Sequence, residues 1–287
     1  MSWEWDVFRF ISALLAGGLL CFAGSLVQLT SRNELASPST LGMDGAAVLM
    51  VMFAYGLETF NFVSLPLSAL AFILGCLFMA VIHFSSQKKD HLASGDFRYV
   101  LLLGLGLNLL VGSIFAVMQF MAMAFNREFP EQLWFGRMST LNSWGVGFLI
   151  LVMVLLLRFV IYYRRHWKAL LLGRGWCRGL GVPVEKMAHE ALILAFLCTL
   201  WVVTHFGVFS FLGLLFPLVL RQIPRYKGEP WREMTDGAVG AGLVFALLDH
   251  ACFNLTFHGS EIPVGLPAGV LGAAALVGLL WRRAQKA

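Results

Sequence analysis

Residues 31–45 read SRNELASPSTLGMDG, a polar and turn-rich interruption between two apolar runs. Asn33, Pro38 and the hydroxyls of Ser37, Ser39 and Thr40 are followed by Gly42 and Gly45. Pro38 has no amide to donate, and the three hydroxyls can cap backbone groups that a helix break would free. The two glycines permit an unusual backbone turn or close helix approach. Composition alone allows an ordinary polar connector. The alternative is irregular backbone inside a membrane bundle, tolerated where it is packed in protein or lines a cavity.

The runs on either side set the class. Hydrophobic residues make up 59% of the 287-residue chain, charged residues only 13%, and the mean hydropathy is +0.78. A soluble domain carries about twice that charged fraction. Apolar runs near ~18 residues recur along the chain, the length of a spanning helix. The ~10-residue alternating segments of a membrane β-barrel do not appear. The expected fold class is all-α, a polytopic membrane helical bundle forming one domain over 1–287. The opening MSWEWDVFRFISALLAGGLLCFAG carries Glu4 and Asp6 where a signal peptide would have a positive cluster, so it reads as a retained helix. Cys21, Cys76, Cys177, Cys198 and Cys252 are scattered without a CxxC and read as buried small residues.

About nine spans are expected, at 7–28, 43–60, 64–84, 98–124, 142–163, 187–205, 207–222, 235–255 and 262–281. The second and seventh lie beside Gly and Pro and read as candidates for broken helices. With the N-terminus outside, 18 of the 21 Lys and Arg residues fall on one side, leaving Arg9, Arg127 and Arg137 on the other. Positive loops stay in the cytoplasm, so the N-terminus is placed out and the C-terminus in. The net charge of +5 thus reflects topology and leaves no free basic patch for nucleic acid.

Four ordered blocks carry a resemblance. GGLLCFAGSLVQLTSRNELASPSTLGMDGAA, 17–47, resembles the FecCD family of permease subunits of bacterial ABC importers for iron–siderophores, haem and vitamin B12. Gly24 and Gln28 match its Gly-x-x-x-Gln pattern, and Asn33, Leu35, Ala36, Pro38, Leu41 and Gly42 match the block that follows, with Glu34 in place of the usual proline. LLLGRGWCRGLGVPVEKM, 170–187, resembles the family's cytoplasmic segment between two halves. In FGVFSFLGLLFPLVLRQI, 206–223, Gly207, Phe211, Gly213, Leu214, Pro217 and Arg221 are retained, while Leu218 stands where histidine is usual. LLDHACFN and EIPVGLPAGVLGA resemble the closing block through Asp249, Glu261, Pro263 and Gly265. Family members usually have one more helix ahead of the first one here, giving ten spans and an N-terminus inside.

The resemblance implies roles. The segment 164–186 would be the coupling element that docks on an ATPase, through Leu172, Gly173, Arg174, Arg178, Leu180, Gly181 and Val182; a solvated basic loop is the plainer reading. No Walker A sequence is present, so ATP and Mg are expected on partner ATPase subunits, with no cofactor in this chain. Ser94, Gly95 and Asp96 occupy the place of a cytoplasmic gate. Asn108 and Gln119, on the fourth span, either face a central cavity or serve helix packing. Arg127 and Arg137 are candidates to receive acidic knobs of a substrate-binding protein, or to pair locally with Glu128 or Glu131. No metal site is read: His189 and Glu190 fall short of HExxH because position 193 is Ile193. Asp249 beside His250 is a candidate functional charge near a membrane boundary, or a structural hydrogen bond to a neighbouring helix.

The resemblance therefore implies a transport subunit without a catalytic site of its own, in the bacterial inner membrane. Its partners would be a second permease (identical or homologous), two ABC ATPases, a periplasmic or lipid-anchored binding protein, membrane lipid and an iron–siderophore substrate. A haem or cobalamin permease, a non-transporting scaffold of the same fold and an intramembrane hydrolase are the alternatives. The last is opposed by the placement of His189 and Glu190 at a helix entrance.

Overall fold

The first apolar run becomes the axis of the molecule. The structure, a computed structural model, describes residues 3–59, 66–86, 97–125, 132–138, 143–172, 177, 179, 181–209, 211–257 and 260–285. Its helices are α1 (Trp3–Ser31), α2 (Met43–Thr59), α3 (Leu67–Ser86), α4 (Phe97–Ala124), the single turn α5 (Gln132–Phe135), α6 (Ser143–Tyr162), α7 (Arg164–Leu172), α8 (Val184–Phe206), α9 (Leu212–Leu220), α10 (Pro230–Asn254) and α11 (Gly265–Ala284). Strands β1 (Thr256–Phe257) and β2 (Ser260–Glu261) pair antiparallel between α10 and α11.

Neighbouring helices bury most of the apolar stretch Val7–Ser31 of α1, and Leu19, Phe22 and Leu26 are fully enclosed. One core cluster joins α1 to α6, α7, α8 and α10, and a second joins α2, α3 and α4 to the other side of α8. By contrast little of the stretch Leu102–Ala124 of α4 is buried. Leu102, Leu109, Val117 and Phe120 there point outward, an apolar face suited to lipid or to another membrane chain.

Each of the nine expected spans overlaps a helix. Among the described residues five stretches are long and apolar enough to cross a membrane: Val7–Ser31, Leu102–Ala124, Gly145–Tyr162, Lys186–Phe206 and Pro230–Asn254. The seventh span takes the broken form that its Gly and Pro allowed, and the start of the eighth moves. The seventh span is helical only over α9, nine residues or about 14 Å, half of a ~30 Å hydrocarbon layer. Residues 207–209 before it are not helical, and Phe211 takes a left-handed φ of 70°. The eighth span starts at Pro230 and not near 235, because proline at the first position of a helix has no amide to waste and a suitable φ.

Candidate functional site

The stretch 31–45 is a folded knot, closed largely by its own polar groups. The Asn33 side chain accepts the Leu35 amide at 3.0 Å. The Thr40 hydroxyl accepts the Ser37 amide at 2.8 Å, and the Ser37 hydroxyl accepts the Thr40 amide at 3.1 Å. The Ser39 hydroxyl donates to Asp44 in the first turn of α2. From α4, Asn108 clamps the knot: its amide nitrogen donates to the Ser39 carbonyl and its oxygen accepts the Gly45 amide at 3.2 Å. The helices can approach this closely because Gly104 offers no side chain; a Cβ there would fall 2.6 Å from the Thr40 carbonyl oxygen.

Two blocks far apart in sequence meet behind the knot. Gly24 of α1 lies against Gly213 of α9, where an added Cβ would sit 1.6 Å from the Gly213 carbonyl oxygen. One turn on, the Gln28 amide donates to the Leu214 carbonyl at 3.1 Å. Pro38 of the knot also touches this crossing, its Cδ 3.3 Å from the Cβ position of Gly213. Leu218 is fully buried in α9.

At the end of the bundle that carries Arg32, Arg164 and Arg221, charge is paired across elements. Arg221 forks onto Glu233 with bonds of 2.8 and 2.7 Å. Lys168 of α7 pairs with Glu229, whose second oxygen accepts the Trp231 indole N–H at 2.6 Å. The bond from Lys168 and then that from Trp231 hold the Glu229 carboxyl below its ordinary range. Trp167 and Leu170 bury the underside of α7. A cleft of about 400 Å³ opens beside it, lined by Gln28, Arg32, Leu170, Tyr226 and Lys227 among others. Of the expected coupling residues, Leu172 ends α7, Gly181 has a left-handed φ of 70°, and the Val182 amide donates to the Cys177 carbonyl at 3.0 Å. Gly173, Arg174, Arg178 and Leu180 lie outside the described residues.

The opposite end is held by four charges. Arg9 of α1 donates to Asp249 of α10 at 2.8 and 3.0 Å, lies 4.4 Å from the Phe253 ring centre, and reaches Glu261 at 3.3 Å. Arg137 reaches the same Glu261 oxygen at 3.2 Å. Burial pushes the Glu261 carboxyl up, but bonds from Arg9 and Arg137 outweigh it and leave the group below its ordinary value. Arg137 thus has a partner that the sequence reading missed, Glu261, with Glu128 and Glu131 outside the described residues. The missed signal was pairwise: Arg9 and Asp249 are lone charges in apolar helices, and such charges find each other.

The other expected positions are dispersed. Gln119 is half-buried on α4, while Arg127 and the gate candidates Ser94, Gly95 and Asp96 lie outside the described residues. Among the described residues no three of His, Cys, Asp and Glu come together as a metal set.

The FecCD transport family matches residues 1–282. The iron(3+)-hydroxamate import system permease protein FhuG of Bacillus subtilis is 31% identical over 97% of this chain and 83% of its own length. The corresponding FhuB protein of Salmonella typhimurium is 28% identical over 99% of the chain, which spans only 40% of FhuB. The vitamin B12 import system permease protein BtuC of Vibrio vulnificus is 25% identical, over 96% of the chain and 80% of BtuC. A solved inward-facing structure assigned to the metal-chelate type of ABC transporter superposes with a TM-score of 0.75, at 19% identity, over 96% of this chain and 85% of that one.

Proposed function

Because the chain belongs to the FecCD transport family, we propose that it is the transmembrane permease subunit of an ATP-driven importer of iron–siderophore complexes. The family is one of transport permeases and not of enzymes, and its relatives serve iron-hydroxamate, siderophore and vitamin B12 import systems. Within that range the iron–siderophore assignment is supported by identity, 31% to FhuG against 25% to BtuC. Cobalamin import is the second reading, favoured by those BtuC relatives alone.

The observation that carries the permease reading is the meeting of Gly24 and Gln28 with Gly213 and Leu214. It joins two family blocks into one crossing beside a half-length helix, and irregular backbone at membrane depth belongs where protein or a cavity covers it. In the proposed arrangement the chain sits in the inner membrane with its basic end in the cytoplasm. A second permease completes the pathway, and two ATPases holding ATP and Mg dock on 164–186. Ser94, Gly95 and Asp96 belong to the cytoplasmic gate, and Gln119 to the path. A binding protein docks at the outer end, where the guanidinium of Arg137, with its side chain 49% exposed, keeps an edge beyond the one Glu261 takes. An acidic knob fits that edge, as it would fit Arg127.

The test is uptake in a bacterial strain lacking its own permeases and supplied with this chain, its ATPase and its binding protein. Iron-loaded hydroxamate siderophore is expected to accumulate in an ATP-dependent manner, and cobalamin and haem are not. Accumulation of cobalamin alone would replace the substrate assignment. Failure to copurify with any ATPase would sink the permease reading itself.

A further inference from the structure

One helix joins the charges at the two ends of the molecule. Helix α10 runs 25 residues from Pro230 to Asn254, about 37 Å. Its start is gripped from α7 by Lys168, which holds one oxygen of Glu229, the residue just ahead of the helix, while the Trp231 indole in the first turn of α10 itself holds the other and orients the carboxylate. The grip has a packed base, since Trp167 is fully buried and Leu170 nearly so. Drawing α7 away from α10 would break the Lys168–Glu229 contact and uncover the Trp167 indole. At its far end α10 holds Arg9 through Asp249, and Arg9 shares Glu261 with Arg137. Between the ends, α10 meets α1 through small residues: Gly242 lies so near that a Cβ would fall 2.3 Å from the Leu14 carbonyl oxygen.

We propose that Lys168 and Glu229, with Trp231 orienting the Glu229 carboxylate, clasp α7 to α10 and make α10 the rod that carries nucleotide-driven movement of α7 to the Arg9–Asp249–Glu261–Arg137 cluster. The proposal rests on the permease reading and on the coupling role of 164–186. The three are positioning residues, touching neither substrate nor nucleotide. An exposed ion pair contributes little to stability on its own. Reversing one charge therefore breaks the link while leaving the fold in place.

The experiment uses the whole importer in proteoliposomes. Lys168→Glu and Glu229→Lys are each expected to keep assembly and basal ATP turnover. Uptake, and stimulation of the ATPase by the binding protein, fall about tenfold, within the usual range of coupling between sites. The double swap K168E/E229K restores both. Trp231→Phe keeps the ring and loses only the indole N–H; it gives an intermediate loss, and it decides the matter if a reversal blocks assembly. Hydrogen exchange supplies the second readout. Nucleotide changes exchange of amides 249–257 in the wild type and the double swap, and not in the single reversals. Wild-type uptake in the single reversals, or a double swap no better than either, overturns the clasp. A wild type that neither binds an ATPase nor transports overturns the permease reading, and the clasp with it.

Discussion

Arg9 ties together the end of the bundle away from α7. It forks onto Asp249, which is only 2% exposed, and it lends a second contact to Glu261. Arg9→Ala leaves a buried carboxylate uncompensated, and such a loss costs about 3–5 kcal/mol. A large drop in the melting temperature of the purified subunit is the expected result, with partial recovery in the double variant R9A/D249A. If R9A melts like the wild type, the cluster is ornamental. Glu261 gives a pH test. Its folded carboxyl lies below the ordinary 4.5, so its contribution is complete above that value and is lost as pH falls through the lower, folded one. The share of stability that Glu261 supplies should therefore hold down to about pH 5 and be lost below it, so the wild type should lose stability relative to Glu261→Gln as the pH falls further. Asp249 was legible in the sequence as a lone acid in an apolar run. Its partner was not, because Arg9 lies 240 positions away and no local pattern links them. Asn108 was legible as a polar intramembrane residue, with path and packing both open. The fold turns both ends of its amide onto the 39–45 backbone.

At the scale of elements, hydropathy located every expected helix but not its length. The segment 207–220 is apolar apart from Ser210, and window hydrophobicity makes no distinction between a helix and an extended strand of the same composition. What breaks it is the backbone. Gly207 takes φ 86° and Phe211 φ 70°, leaving α9 to start halfway and to press Gly213 against Gly24. Gly24→Ala puts a methyl group into a space that a backbone carbonyl already occupies. Overpacking of this kind costs about 1–3 kcal/mol and sometimes more. The variant is expected to melt earlier and to expose the amides of 212–220 to exchange, whereas Gly106→Ala, on the same bundle with nothing near its Cβ, should change neither. Equal effects from the two substitutions would refute the close crossing. The knot at 31–45 follows the same logic. Pro38, its hydroxyls and Gly42 forecast a break in the helix, and the structure adds that the break is packed against α4 and α9.

For the whole molecule, class and chemistry separate cleanly by range. Apolar content and span positions were decided by the sequence alone, because the cost of burying a peptide in lipid is a local sum over about 20 residues. The family blocks were readable for a related reason: glycines and prolines at crossings are local backbone requirements that leave their mark on the chain. Partners within the fold were decided only by the tertiary structure. Arg9 with Asp249, Gln28 with the Leu214 carbonyl, and Lys168 with Glu229 are separated by 240, 186 and 61 positions. Charges and amides act over a few ångströms, so which of them meet depends on how α1, α7, α9 and α10 pack, and no stretch of sequence carries that information by itself.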